Sequence, residues 1–227
     1  MNKADAAELS QTKRMGRILV LLEKTYPEAQ CSLDYQTPFQ LLVATILSAQ
    51  CTDKRVNQVT PELFSRFQTI QAVAAARISE VERIIRSTGF YKNKAKAIVG
   101  AAKKLIADHG GGVPKTLEEL VKLPGVGRKT ANVVLGNAFG VPGLVVDTHV
   151  GRLCRRMGFT KFQDPEKVEA AMEKIVPRSK WSEFSHLLIF HGRESCSARR
   201  PLCKECCVSR YCPKVGVIAA HSPKEEE

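Results

Sequence analysis

The sequence predicts an all-α fold, and three observations carry that expectation. No stretch alternates apolar and polar residues for long, and runs of β-branched residues are short. Helix-start signals recur along the chain, and between them apolar residues repeat at helical spacing. With 227 residues, 44% hydrophobic and 26% charged, the chain is long enough for one large or two small domains, and its composition excludes a disordered or collagen-like protein.

The elements follow in order. Thr37-Pro38 reads as an N-cap with proline at the first helical position, and residues 39–49, FQLLVATILSA, are apolar nearly all round, as expected of a helix buried at a domain centre. Thr60-Pro61 predicts a second such start, and Ser79 with Glu82 predicts a capping box opening a helix that Gly89 ends. Between Lys94 and Asp108, one face carries Ala95, Ile98, Val99, Ala102, Leu105 and Ile106, with Gly110 as the stop. Thr116 with Glu119 is a further capping box, and Ala131, Val134, Leu135 and Ala138 form the apolar face of the next helix. Asp147 can cap a helix carrying Val150, Leu153, Cys154 and Met157, ended by Gly158. Asp164-Pro165 opens a last one with Val168, Ala171, Met172 and Ile175, for about ten helices in all.

Thirty-five Lys and Arg against 23 Asp and Glu leave a net charge of +12, which suits a polyanionic partner, nucleic acid before a membrane surface. The N-terminus lacks an apolar h-region and no run of ~18 apolar residues occurs, so neither secretion nor a membrane span is expected. Disulfides are rare in the cytosol that this implies, and the eight cysteines need another explanation.

Cys196, Cys203, Cys206 and Cys212 supply four thiolates with the spacing C-x6-C-x2-C-x5-C. Zinc and iron-sulfur clusters both accept such a set. Zinc sites usually pair two short C-x2-4-C units, and with only one tight pair here the spacing favours the cluster. Cys207 competes with its neighbour Cys206, which is preferred; Cys31, Cys51 and Cys154 are isolated and read as core residues. Arg199 and Arg200 sit between the first two ligands, on a loop that either holds cations against DNA phosphates or is a solvated basic surface.

Leu123-Pro124-Gly125-Val126-Gly127-Arg128-Lys129-Thr130 reads as a glycine hairpin joining two helices, where glycines let backbone amides at a helix N-terminus approach a phosphate. Lys129, at the start of the second helix, is then a phosphate ligand or a nucleophile. The second role needs a neutral amine, which a helix N-terminus and partial desolvation both favour. Farther on, the apolar run Leu144-Val145-Val146 leads into Asp147, either a helix cap or a carboxylate placed near the interior.

Together, LPGVGRKTANVVL, VDTHV and the cysteine spacing closely resemble the endonuclease III family of helix-hairpin-helix DNA glycosylases, over about Cys31 to Cys212. That resemblance implies two helical domains. Residues 31–141 would form a six-helix barrel with the helix-hairpin-helix at about 116–139; residues 1–30 plus 142–217 would form the iron-sulfur domain, with 218–227 a mobile tail. It implies a 4Fe-4S cluster on the four cysteines. It implies a monomeric base excision repair enzyme, bacterial-type, cytoplasmic and nucleoid-associated, acting on double-stranded DNA with damaged pyrimidines or abasic sites. The enzyme would be both an N-glycosylase and an AP lyase. Lys129 would be the nucleophile and Asp147 the catalytic carboxylate, with Gly125, Gly127 and Arg128 on the DNA backbone beside Arg199 and Arg200. Gln50 would fill the gap left by the flipped base. Phe90 stands where the family commonly has a leucine wedge, and His149 lies either beside the base pocket or in the interior, holding the fold. Related adenine glycosylases share the cluster and aspartate but usually lack a lysine at the hairpin.

Overall fold

The computed structural model describes residues 3–217, with side chains from residue 11 onward; the expected mobile tail at 218–227 lies outside the described residues. Among the described residues there are eleven α-helices, three short 3-10 turns and no strand. The chain divides into two compact units, one of residues 31–143 and one joining the residues up to 30 with those from 144 onward.

The first unit holds α2 (Pro38–Ser48), α3 (Asp53–Arg66), α4 (Ile70–Ala75), α5 (Ile78–Ile85), α6 (Tyr91–His109), α7 (Leu117–Leu120) and α8 (Arg128–Phe139). As expected, Thr37 caps α2 by accepting from the Gln40 amide, with Pro38 at its start. The seven residues Leu41–Leu47 are all buried, so α2 is the unit's centre, packed on α3, α6 and α8. α6 starts three residues before Lys94 and ends on left-handed Gly110, with Ala95, Ile98, Val99, Ala102 and Leu105 in the core.

Two expected starts are corrected. Thr60-Pro61 opens no helix: α3 begins after Thr52, whose hydroxyl accepts from the Arg55 amide, and runs through Pro61. Burial of Val56, Val59, Thr60 and Leu63 on one face outweighs the backbone hydrogen bond that Pro61 cannot give. Ser79 lies inside α5, whose N-cap position is Arg77, with no side-chain cap. The buried stripe Val81, Ile84 and Ile85 fixes that helix instead.

The second unit packs α1 (Lys3–Thr25), α9 (Thr148–Arg156), α10 (Pro165–Glu173) and α11 (Trp181–Glu194) around Met15, Ile18, Leu22, Val150, Leu153, Met172, Phe184 and Leu188. Asp164 caps α10 as expected, accepting from the Lys167 amide. Cys154 is fully buried in this core, and burial pushes its thiol up to about 12. Cys31 and Cys51 pack, partly buried, against the core of the other unit.

Candidate active site and metal centre

In the first unit the hairpin between α7 and α8 is docked on α6 through the absence of side-chain bulk. Gly125 has φ +75°, and a Cβ there would lie 2.5 Å from the Cβ of Ala97. Pro124 packs on Gly100 of the same helix, where an added Cβ would meet its Cγ at 3.2 Å. Val126 plugs the turn, 6% exposed, with its amide bonded to the Leu123 carbonyl. Gly127 is the N-cap of α8 and supplies no side-chain oxygen to the first turn. A helix start without that internal acceptor suits an external anion. Arg128 and Lys129, the first two residues of α8, are exposed, as are Gly125 and Gly127. The Lys129 side chain is therefore solvated in the free protein, without the partial desolvation expected of it.

Gln50 and Phe90, also in this unit, are both exposed and both adopt left-handed backbone, with φ 52° and 48°. Such conformations in residues with a Cβ cluster at functional sites. Phe90 is 63% exposed, a large aromatic ring turned to solvent at the start of α6.

In the other unit Asp147 caps α9, its Oδ1 accepting from the Val150 amide at 2.8 Å. The run before it is buried, Leu144, Val145 and Val146 each at 9% exposure or less, while the aspartate itself is half-buried. One carboxylate oxygen thus serves the helix at the end of an apolar approach, so the capping role is present whatever else Asp147 does. His149 is held structurally: its Nδ1 lies 3.1 Å from Arg152 Nη2, and an added Cβ on Gly192 of α11 would meet that same nitrogen at 2.7 Å.

The thiols of Cys196, Cys203, Cys206 and Cys212 line one cavity, together with Arg156, Met157 and His191. Cys207 is not among its lining residues; its thiol hydrogen-bonds with that of Cys206 and with Thr25 of α1. Among the described residues no three His, Cys, Asp or Glu side chains form a single-ion site. The cavity offers donors to sulfur. Arg156 Nη1 is 3.3 Å from Cys196 Sγ, the Lys214 amide donates to Cys212 Sγ at 3.4 Å, and His191 Nε2 lies 3.5 Å from Cys206 Sγ. Hydrogen bonds to sulfur of this kind orient the side chains that ligate a metal.

Two arginines that the sequence reasoning missed hold this loop. Arg152 donates to the carbonyls of Gly192 and Cys196, and Arg156 to those of Ser197 and Ala198 at 2.7 and 2.6 Å. Their four-residue spacing puts them on one face of α9, a signal masked by the buried Val150, Leu153 and Cys154 of the same helix. The Ser197 hydroxyl closes the turn on Arg200, donating to its carbonyl and accepting from its amide. Arg199 and Arg200 are left exposed on a loop whose backbone is held from inside.

Residues 43–178 match the HhH-GPD superfamily of base excision DNA repair proteins. The chain is 55% identical over 205 residues to endonuclease III of Synechocystis sp., covering 90% of this chain and 94% of that one. It is 40% identical over 204 residues to endonuclease III of Escherichia coli K12, covering 90% and 96%. A solved non-covalent endonuclease III–DNA complex superposes with a TM-score of 0.85 at 44% identity, over 89% of this chain and 95% of that one. A trapped endonuclease III–DNA covalent intermediate superposes with the same TM-score and identity.

Proposed function

Because this chain belongs to the endonuclease III family of the HhH-GPD superfamily, we propose that it works as a bifunctional DNA glycosylase and AP lyase with Lys129 as its nucleophile. The observation that carries the residue assignment is the exposed amine of Lys129 on the first turn of α8, directly after a glycine hairpin with no side-chain cap. The substrate is double-stranded DNA in which a pyrimidine has been oxidised or lost. A base that has lost ring planarity stacks poorly, so rotating it out of the duplex costs least there. Gln50 and Phe90, exposed and conformationally constrained, enter the opened base pair.

Chemistry begins when neutral Lys129 attacks C1′: a bond from Nζ to C1′ forms, the glycosidic bond breaks, and the base leaves as an anion that takes a proton from water. Asp147 stabilises positive charge developing on the sugar and receives the proton that the amine loses. That proton passes to O4′ as the C1′–O4′ bond breaks and the sugar ring opens to an iminium; this acidifies C2′, and loss of a C2′ proton to solvent breaks the C3′–O bond and expels the 3′ phosphate by β-elimination. Hydrolysis releases the sugar fragment and regenerates the lysine.

We also assign a 4Fe-4S cluster to Cys196, Cys203, Cys206 and Cys212, on their spacing and their common cavity with its sulfur-directed donors. When bound it supplies a rigid cross-link among four thiolates, and no step of the reaction passes through it. Arg199 and Arg200 on that loop, with Gly125, Gly127 and Arg128 on the hairpin, are assigned to phosphates. For His149 its contacts favour the structural role.

Borohydride should trap a covalent adduct with DNA carrying an abasic site, and Lys129→Ala should abolish it. Trapping that survives this change removes Lys129 from the mechanism. The purified protein should contain iron and absorb broadly in the visible; zinc alone, in protein prepared without iron loss, overturns the cluster.

A further inference from the structure

Lys94 of α6 is only 5% exposed, and nothing above uses its charge. A buried ammonium is costly unless hydrogen-bonded, so its partners must hold it closely. Its Nζ donates to two carbonyls from different segments, Leu47 and Thr88, each at 2.8 Å. Leu47 lies in the last turn of α2, where carbonyls lack helical partners; the amide four residues ahead, of Cys51, bonds to Ser48 instead. A cation there also meets the negative end of the helix dipole. Thr88 closes the 3-10 turn before Gly89, with its own hydroxyl donating to the Ile85 carbonyl.

Each carbonyl stands just ahead of a left-handed residue. Leu47 precedes Gln50 by three positions, and Thr88 precedes Phe90 by two, and these are two of the three non-glycine residues with positive φ among those described. The backbone amide of Lys94 also bonds to the Phe90 carbonyl at 3.1 Å. One residue therefore grips the turn below each exposed tip.

We propose that Lys94 is a positioning residue that ties the 47–50 and 88–90 turns together, so that Gln50 and Phe90 meet the duplex as one preset two-pronged probe. This rests on the reading that Gln50 and Phe90 enter the opened base pair. A probe fixed before contact spends less binding energy on ordering its tips, and so opens a paired, stacked site more readily. The benefit is confined to substrates that still have to be opened.

The test compares two substrates on the full-length, cluster-loaded protein. One is a duplex with a single oxidised pyrimidine, scored for base release; the other holds an abasic site inside a mismatched bubble, scored by borohydride trapping. Lys94→Met should slow base release from the paired duplex about tenfold while changing bubble trapping less than about twofold, and should add less than about twofold to a Gln50→Ala/Phe90→Ala variant. Equal losses on both substrates, or losses that multiply with those of the double variant, overturn the positioning role. A double variant that releases bases from the duplex normally refutes the probe reading itself. Normal Lys94→Met activity beside an impaired double variant refutes Lys94 alone. Should Lys94→Met not fold, hydrogen exchange on the unaltered chain decides. Residues 47–52 and 87–91 should gain protection together on binding a duplex with a tetrahydrofuran abasic analogue, and protection of one segment without the other overturns the tie.

Discussion

Replacing Gly125 by alanine tests how the hairpin is held. Its φ of +75° disfavours any residue with a Cβ, by ~1–2 kcal/mol. The added Cβ would also stand 2.5 Å from that of Ala97, so α6 or the hairpin must shift, an overpacking cost of ~1–3 kcal/mol. The sum is roughly 2–5 kcal/mol, which for a chain of this size lowers the melting temperature by roughly 4–20 °C. Circular dichroism on heating reads it directly. Ala97→Gly in the same chain removes the clash at about 1 kcal/mol of helix propensity but leaves the backbone penalty. The two changes should therefore couple by ~1–3 kcal/mol, the pair being less destabilised than the sum of the singles. Gly127→Ala is the control, since nothing lies within 4 Å of the added carbon and the backbone is ordinary there; it should cost no more than about 1 kcal/mol. Strict additivity of the Gly125 and Ala97 changes, or a Gly125→Ala protein that melts with the parent, would refute docking through that contact.

Asp147→Asn keeps a capping oxygen, so its melting temperature should stay near the parent's while base release collapses; Asp147→Ala should lose base release and, in addition, ~1 kcal/mol of stability. An Asn variant with normal turnover would leave Asp147 its capping role alone. Arg156→Met withdraws the donors to Ser197, Ala198 and Cys196 Sγ, and should speed bleaching of the visible absorbance under a chelator by about tenfold, the scale of outer-sphere metal-site changes. Unchanged bleaching would show that the thiols hold the loop unaided. Affinity for DNA should fall with salt at about 0.9 log unit per log unit of salt for each phosphate contact, and Arg199→Ala/Arg200→Ala should flatten the slope by about two contacts. An unaltered slope would place both arginines off the DNA.

The readable parts of the fold were those where local chemistry and burial agree. Thr37-Pro38 caps α2 because the threonine satisfies an amide and the proline lacks one to satisfy, both local facts. Thr60-Pro61 carries the same local signature, yet the apolar face of α3 carries the helix through it, and only the tertiary core decides between the two. The common cavity of the four cysteines was legible because thiols on one short segment stay close in space. Arg152 and Arg156 were not, since most of their acceptors are backbone carbonyls 40 to 44 residues away, which leave no trace in side-chain identity. Lys94 was hidden for the same reason: a lysine in a lysine-rich helix reads as solvated until its two carbonyl partners are seen.

The unit that joins the start of the chain to its later part imposes a schedule on biosynthesis. Met15, Ile18, Leu19 and Leu22 of α1 are buried against residues from Leu144 onward, so this helix is made long before its partners in the core. At ~5–20 residues per second, the stretch from Leu22 to Leu144 takes roughly 6–25 s to synthesise. Throughout that interval the apolar stripe of α1 is displayed on the nascent chain while residues 31–143 can close on their own core. A ribosome stalled once residue 143 has cleared its exit tunnel should therefore carry one finished unit and one sticky unpartnered helix, the form of this protein most in need of a chaperone.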